Sequence, residues 1–137
     1  MAFEVIEHDG VRYAEILWAD TTVPPTKFFS PPESSMQFGL LAHHAGFVEP
    51  PHSHHPVERR LTDVQQMLVL QRGKLAVDFF TPGGKCFKTV TLNPGDAMTL
   101  IHGAHSLRTL EDMQCVSVKQ GPFLGDERDK VPLEPAA

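Results

Sequence analysis

Histidine is the residue type that stands out for chemistry: the chain carries eight. Five of them fall in two short stretches, His52, His54 and His55, then His102 and His105. In extended chain, residues i and i+2 project from one face, about 6.6 Å apart along the strand. His52 and His54 are therefore expected to point together, with His55 turned away or opening the next loop. Neutral imidazole nitrogens ligate borderline divalent metals, and a third donor from a distant strand would close such a site. A lone His-x-His pair also occurs in plain solvated loops, so its surroundings decide its meaning. His43 and His44 are adjacent and face opposite sides of their predicted strand. One could line an interior and act as acid or base, since imidazole titrates near neutrality. Arg59 and Arg60 sit in a charged loop. They are either a solvated surface or guanidinium clamps for a substrate carboxylate or phosphate.

Such side chains need a frame. The 137 residues fit one domain, long enough to bury roughly two-thirds of its unfolded surface without disulfides or metal. Prolines and glycines fall between short apolar runs, the spacing of many short strands joined by turns. Val11–Trp18 suits an edge strand. Val23-Pro24-Pro25 and Ser30-Pro31-Pro32 mark an extended connector, and Gln37–His43 reads as a strand ended by Gly46. Pro50–His54 is extended and 55–62 a loop. Asp63–Gln71 fits a buried strand better than a helix. A break at Arg72-Gly73 then suggests a hairpin into Leu75–Phe80. Thr81–Gly84 and Asn93–Asp96 have turn chemistry, the second with proline and glycine at the type II positions. Phe87–Leu92, Ala97–Ile101, Ser106–Leu110 and Met113–Val118 complete the series. Phe38, Phe47, Phe79, Phe80 and Phe87 are the expected aromatic core. Seven to ten strands without a convincing helix predict an all-β sandwich or barrel.

Composition narrows the partners. Twelve Lys+Arg against 17 Asp+Glu give a net charge of −5. Phosphate backbones attract clustered positive charge, so no nucleic-acid partner is expected. No basic run suggests a membrane surface, and no apolar run could span a bilayer. Acidic residues come early and no apolar leader follows, so no signal peptide is expected. Cys86 and Cys115 lack CxxC spacing and read as reduced thiols of a cytoplasmic protein, with a disulfide between them left open.

The histidines carry a resemblance. Gly46-Phe-Val-Glu-Pro-Pro-His52-Ser-His54 resembles the first motif of the cupin family, in which five residues separate a glycine from His-x-His. Gly95-Asp-Ala-Met-Thr-Leu-Ile101-His-Gly103-Ala-His105 resembles the second. There Ile101 replaces the family's proline, His105 arrives one residue early, and Thr109 stands in for an asparagine. The family's metal-binding glutamate has two candidates. Glu58 has the right spacing from His54 but lacks the glycine that should follow it. Gln66 has that glycine, with six residues separating it from Gly73. Gln66 is preferred, with the segment from His54 to Gln66 an enlarged loop. The resemblance covers about residues 36 to 118.

The resemblance implies a single double-stranded β-helix, a jelly-roll-like cupin barrel over 36–123. Residues 1–35 would be an N-terminal strand and proline-rich connector, and 124–137 a tail. It implies a divalent transition metal (Fe, Mn, Ni, Zn or Co) held by His52, His54, Gln66 and His105, with His102 behind them. The substrate would be a small oxygenated or anionic molecule in a reaction of the dioxygenase, isomerase or lyase kind. Catalytic candidates are His43, His44, Arg59 and Arg60. Val118–Phe123 resembles a segment of cupins linked to surface-sugar metabolism. That points alternatively to a metal-free sugar-nucleotide isomerase or epimerase, or to a non-catalytic ligand-binding cupin. A homodimer is expected, because the N-terminal strand and its connector look too extended to fold back alone.

Overall fold

The computed structural model describes residues 3–136. Its strands are β1 (Glu4–His8), β2 (Val11–Leu17), β3 (Lys27–Phe28), β4 (Gly39–Leu40), β5 (Gln66–Phe80), β6 (Cys86–Leu92), β7 (Ala97–Leu100) and β8 (Ala104–Lys119). One helical turn, α1 (Asp126–Asp129), follows. The chain is all-β, as its punctuation by turn residues predicts. An antiparallel sheet ordered β1-β2-β7-β5-β6 curls into a half-barrel, and β8 lies along the other edge of β5.

The 15-residue β5 organises the molecule. Its first part pairs with β7 and its second with β6, while β8 follows it from Gln66↔Lys119 to Phe80↔Ala104. Arg72-Gly73 is not the hairpin turn that its sequence suggests. The strand runs on, with register irregularities between Leu70 and Leu75. Gly73 has φ +87°, and a Cβ there would strike the Asp112 backbone carbonyl. The irregularity also changes side-chain parity. Leu68 and Leu70 are buried before it, and Leu75, Val77 and Phe79 after it. Because strand side chains alternate faces, only such a shift keeps both apolar sets inward. β5 thus turns a corner without losing its core. Ser106–Leu110 and Met113–Val118, expected as separate strands, are likewise one strand, the 16-residue β8.

Two other expectations change. Val11–Leu17 is an interior strand between β1 and β7, not an edge. Tyr13 through Leu17 are buried on both faces. One face joins the core with Ile6, Met98 and Leu100. On the other, the connector lies over the sheet: Ser30 Oγ donates to Glu15 Oε1 at 2.8 Å and accepts from the Phe38 amide at 2.9 Å. The N-terminal strand therefore folds back on its own chain and does not itself require a partner copy. The predicted strand Gln37–His43 shrinks to Gly39–Leu40, paired only with Lys27–Phe28.

The turns behave as read. Thr81 N–H donates to Lys85 O at 2.8 Å, and Asp96 N–H to Asn93 O at 3.0 Å. Asp96 adds its carboxylate, accepting from the amides of Asn93 and Ala19, each at 2.7 Å. Phe79 and Phe38 are buried and Phe87 packs on the core. Phe47, expected there too, is 55% exposed. Both cysteines are free thiols. Among the described residues no helix is long and apolar enough to cross a membrane.

Candidate functional site

The metal-ligand candidates divide into two pairs. Gln66 and His105 belong to the β5–β8 ladder. Gln66 shares its parity with buried Leu68 and Leu70, and His105 is registered opposite buried Phe79. Directly opposed residues share a face. Both therefore lie on the inner face of the curl, one on each side of the Gly73 corner. Gln66 Nε2 donates to Ser117 Oγ at 2.7 Å. That engages its donor end and leaves amide-oxygen chemistry for a ligand. His105 keeps solvent contact, yet surrounding atoms crowd its ring. Desolvation holds its pKa below the ordinary histidine value, and the charge of Lys130 acts in the same direction. A hydrogen bond with the Gly103 backbone opposes both.

His52 and His54 lie apart from that face, on an exposed segment outside every strand. The i, i+2 expectation is met in part: their rings stack at 5.5 Å between centroids, 17° from parallel. The strand that should hold them is not formed. His52 Nε2 is 3.2 Å from Glu49 Oε1, and Nδ1 is 3.0 Å from Pro50 O. Both ring nitrogens are thus engaged, and an incoming metal must displace Glu49 or share it.

The catalytic candidates also fall outside the sheet. His43 and His44 are exposed in irregular chain, not on opposite faces of a strand. His43 stacks flat on Phe47 at 3.9 Å and lies 3.3 Å from Thr26 Oγ1. Glu58, Arg59 and Arg60 are exposed, and Arg59 Nη1 reaches only the Val57 carbonyl, at 3.4 Å. Among the described residues no group of three or more His, Cys, Asp or Glu is placed to hold a metal ion. The proposed ligands do not form a metal site as arranged here.

Sequence reading missed the partners that matter most. Ser117 bonds Gln66, and the charge of Lys130 acts on His105, but only register and chain path reveal them. On the outer face, Asp78 accepts from Arg108 Nε at 2.6 Å, Arg108 Nη2 at 3.0 Å and Thr89 Oγ1 at 2.7 Å. The bond from Arg108 holds the Asp78 carboxyl below its usual value. Cys115, on the inner face opposite Leu70, has its thiol pushed up by burial and stays protonated at neutral pH. The outer edge of β8 pairs with no strand among the described residues. Its inner-face Leu107 is 42% exposed, so the half-barrel is open along this side. No family model, no curated protein and no solved structure matches the chain.

Proposed function

We propose that this protein is a small metal-binding cupin, a double-stranded β-helix completed when residues 41–65 lie against the open edge of β8. One observation carries the reading: Gln66 and His105 share the inner face, on either side of the Gly73 corner, facing the side the sheet leaves open. Exposure supports it. Leu107 on β8 and Phe47, Val48 and Val57 on the loose segment all show large apolar surface to water. Mutual burial would gain about 25 cal/mol per Å² removed from water. Docking of that segment would bring His52 and His54 toward His105. Three neutral imidazoles and the Gln66 amide would hold a divalent transition metal with its full charge, a centre suited to a small anionic or oxygenated substrate.

Metal analysis of untagged protein, purified without chelator, tests this. Near-stoichiometric metal is expected in the wild type, with loss in His52→Ala/His54→Ala and in His105→Ala. No metal in the wild type after reconstitution with zinc, iron, manganese, nickel or cobalt overturns the reading.

A second reading has its own support. His105 is the inner-face histidine and favours its neutral form, which suits a general base. This points to a metal-free sugar-nucleotide isomerase or epimerase. Chelated protein should then gain thermal stability with a nucleotide sugar, and absence of any shift across a panel of them removes it. Binding without turnover would mark a non-catalytic ligand-binding cupin.

A further inference from the structure

Every residue from His43 to Thr62 is exposed, and the stretch is pinned near its ends. Thr26 Oγ1 accepts from the Ala42 amide at 2.8 Å, and Ser35 Oγ donates to Asp63 Oδ1 at 3.1 Å. The stretch carries the adjacent basic residues Arg59 and Arg60. The middle of β8 carries the adjacent acidic residues Glu111 and Asp112. All four are exposed. Among the described residues none of them is in an ion pair.

Spacing relates the two pairs. Arg60 follows His54 by six residues, and Glu111 follows His105 by six. Laid parallel to the open edge of β8 with His54 beside His105, the stretch therefore sets Arg60 beside Glu111. Arg59 and Asp112 become diagonal neighbours on the other face, within reach of a long side chain. Exposed Val57 and Leu61 on the stretch, and exposed Leu107 and Leu110 on β8, fall within the matched parts. One register joins the histidines, matches both charges and covers apolar surface.

The chain's own stretch cannot take that register. Gln65 is held level with Gln120: the Gln120 side chain accepts from the Gln65 amide at 2.8 Å, and the Gln120 amide donates to Gln65 O at 3.4 Å. Arg60 is five residues from Gln65, a reach of at most about 18 Å. Glu111 is nine residues from Gln120, about 30 Å along a strand. The ladder with β5 is regular from Lys119 to Cys115 and irregular beyond. A right-angle bend at Cys115 still leaves about 21 Å, before the crossing from β5 to the far edge of β8 is added. A second copy has no such tether.

We propose that residues 43–62 of one copy add to the β8 edge of a second copy, and that a reciprocal exchange closes both half-barrels in a twofold dimer. The partner's His54 then joins the site at His105. That meeting rests on the reading of the inner face as the ligand site. The exchange itself rests on reach and charge, and assembly tests it.

Sedimentation velocity of the untagged, full-length chain is the measurement, and a dimer is expected. Arg59→Glu/Arg60→Glu and Glu111→Arg/Asp112→Arg each set like charges against one another at both exchanged contacts. Each alone should sediment with half the mass at a concentration where the wild type is dimeric. An equal mixture of the two restores opposite charges at both contacts and should return the dimer. Circular dichroism confirms that each variant is folded; if either is not, Arg60→Glu and Glu111→Arg take their place. A monomeric wild type, a dimer that survives either reversal, or a mixture that stays monomeric overturns the exchange. Metal content of the same samples is read separately. A dimer restored by mixing but free of metal removes the metal reading and keeps the exchange, and a monomer that holds metal does the reverse.

Discussion

At His105 crowding outweighs the hydrogen bond to Gly103, and the ring favours its neutral form in the folded chain. The unfolded chain titrates near ~6.5. The folded value is lower, so stability is complete above the unfolded pKa and is lost as pH falls through the folded one. Urea midpoints at neutral and mildly acidic pH should therefore differ less in His105→Gln than in the wild type. An unchanged difference would contradict the assigned crowding. Asp78 works at lower pH. Arg108 depresses its carboxyl, so its contribution is present above about 3.9 and disappears as pH falls toward the folded value. Arg108→Ala is expected to lower the neutral-pH urea midpoint and to flatten the acid loss. Neither environment was legible in the sequence. His105 could be named from its distance to Gly95, but the charge of Lys130 felt there depends on where the tail travels. Asp78 looks like one polar residue in an apolar strand until register places it diagonally across from Arg108.

At the scale of elements, glycine meant two different things. In Thr81–Gly84 and Asn93–Asp96 it marked turns, and the sequence reading stands. At Gly73 the same residue type marks a bulged corner inside one strand. A local pattern cannot separate these, because the corner is fixed by the parity of distant apolar residues and by the close backbone of Asp112. Gly73→Ala should cost about 1–3 kcal/mol from the backbone conformation alone, with more from the clash. Denaturant midpoints measure it, and a change within about 0.5 kcal/mol would show that the corner does not need glycine. Phe79→Ala, on the inner face just beyond that corner, is expected to cost about 3–5 kcal/mol in the same assay. The strand predicted through His43 failed for a related reason. Its apolar residues find no partner beyond Leu40, so pairing stops and both histidines stay in irregular chain.

Across the whole molecule, the sequence reached the all-β class of fold and named two residues that lie on the inner face, Gln66 and His105, but not the convergence of the site. Gln66 and His105 were picked out by spacing from glycines, and those glycines do stand at the corner and the turn that set the ladder. His52 and His54 were picked out by adjacency, which brings the two rings together without bringing them to the sheet. Proposed closure of 41–65 over β8 has a distinct signature. Added zinc should slow amide exchange along both β8 and 49–56 in the wild type, and not in His52→Ala/His54→Ala. Equal exchange with and without zinc would leave the segment outside the barrel.

The open outer edge of β8 also bears on how copies of this chain treat one another. Unpaired backbone groups along a 16-residue strand invite a second copy to add its own. A twofold pairing about the middle of that strand would set Glu111 opposite the partner's Asp112, and like charges directly opposed are unfavourable. The acidic pair therefore acts as a brake on self-stacking. It disfavours use of that exposed edge as a growth point for aggregates.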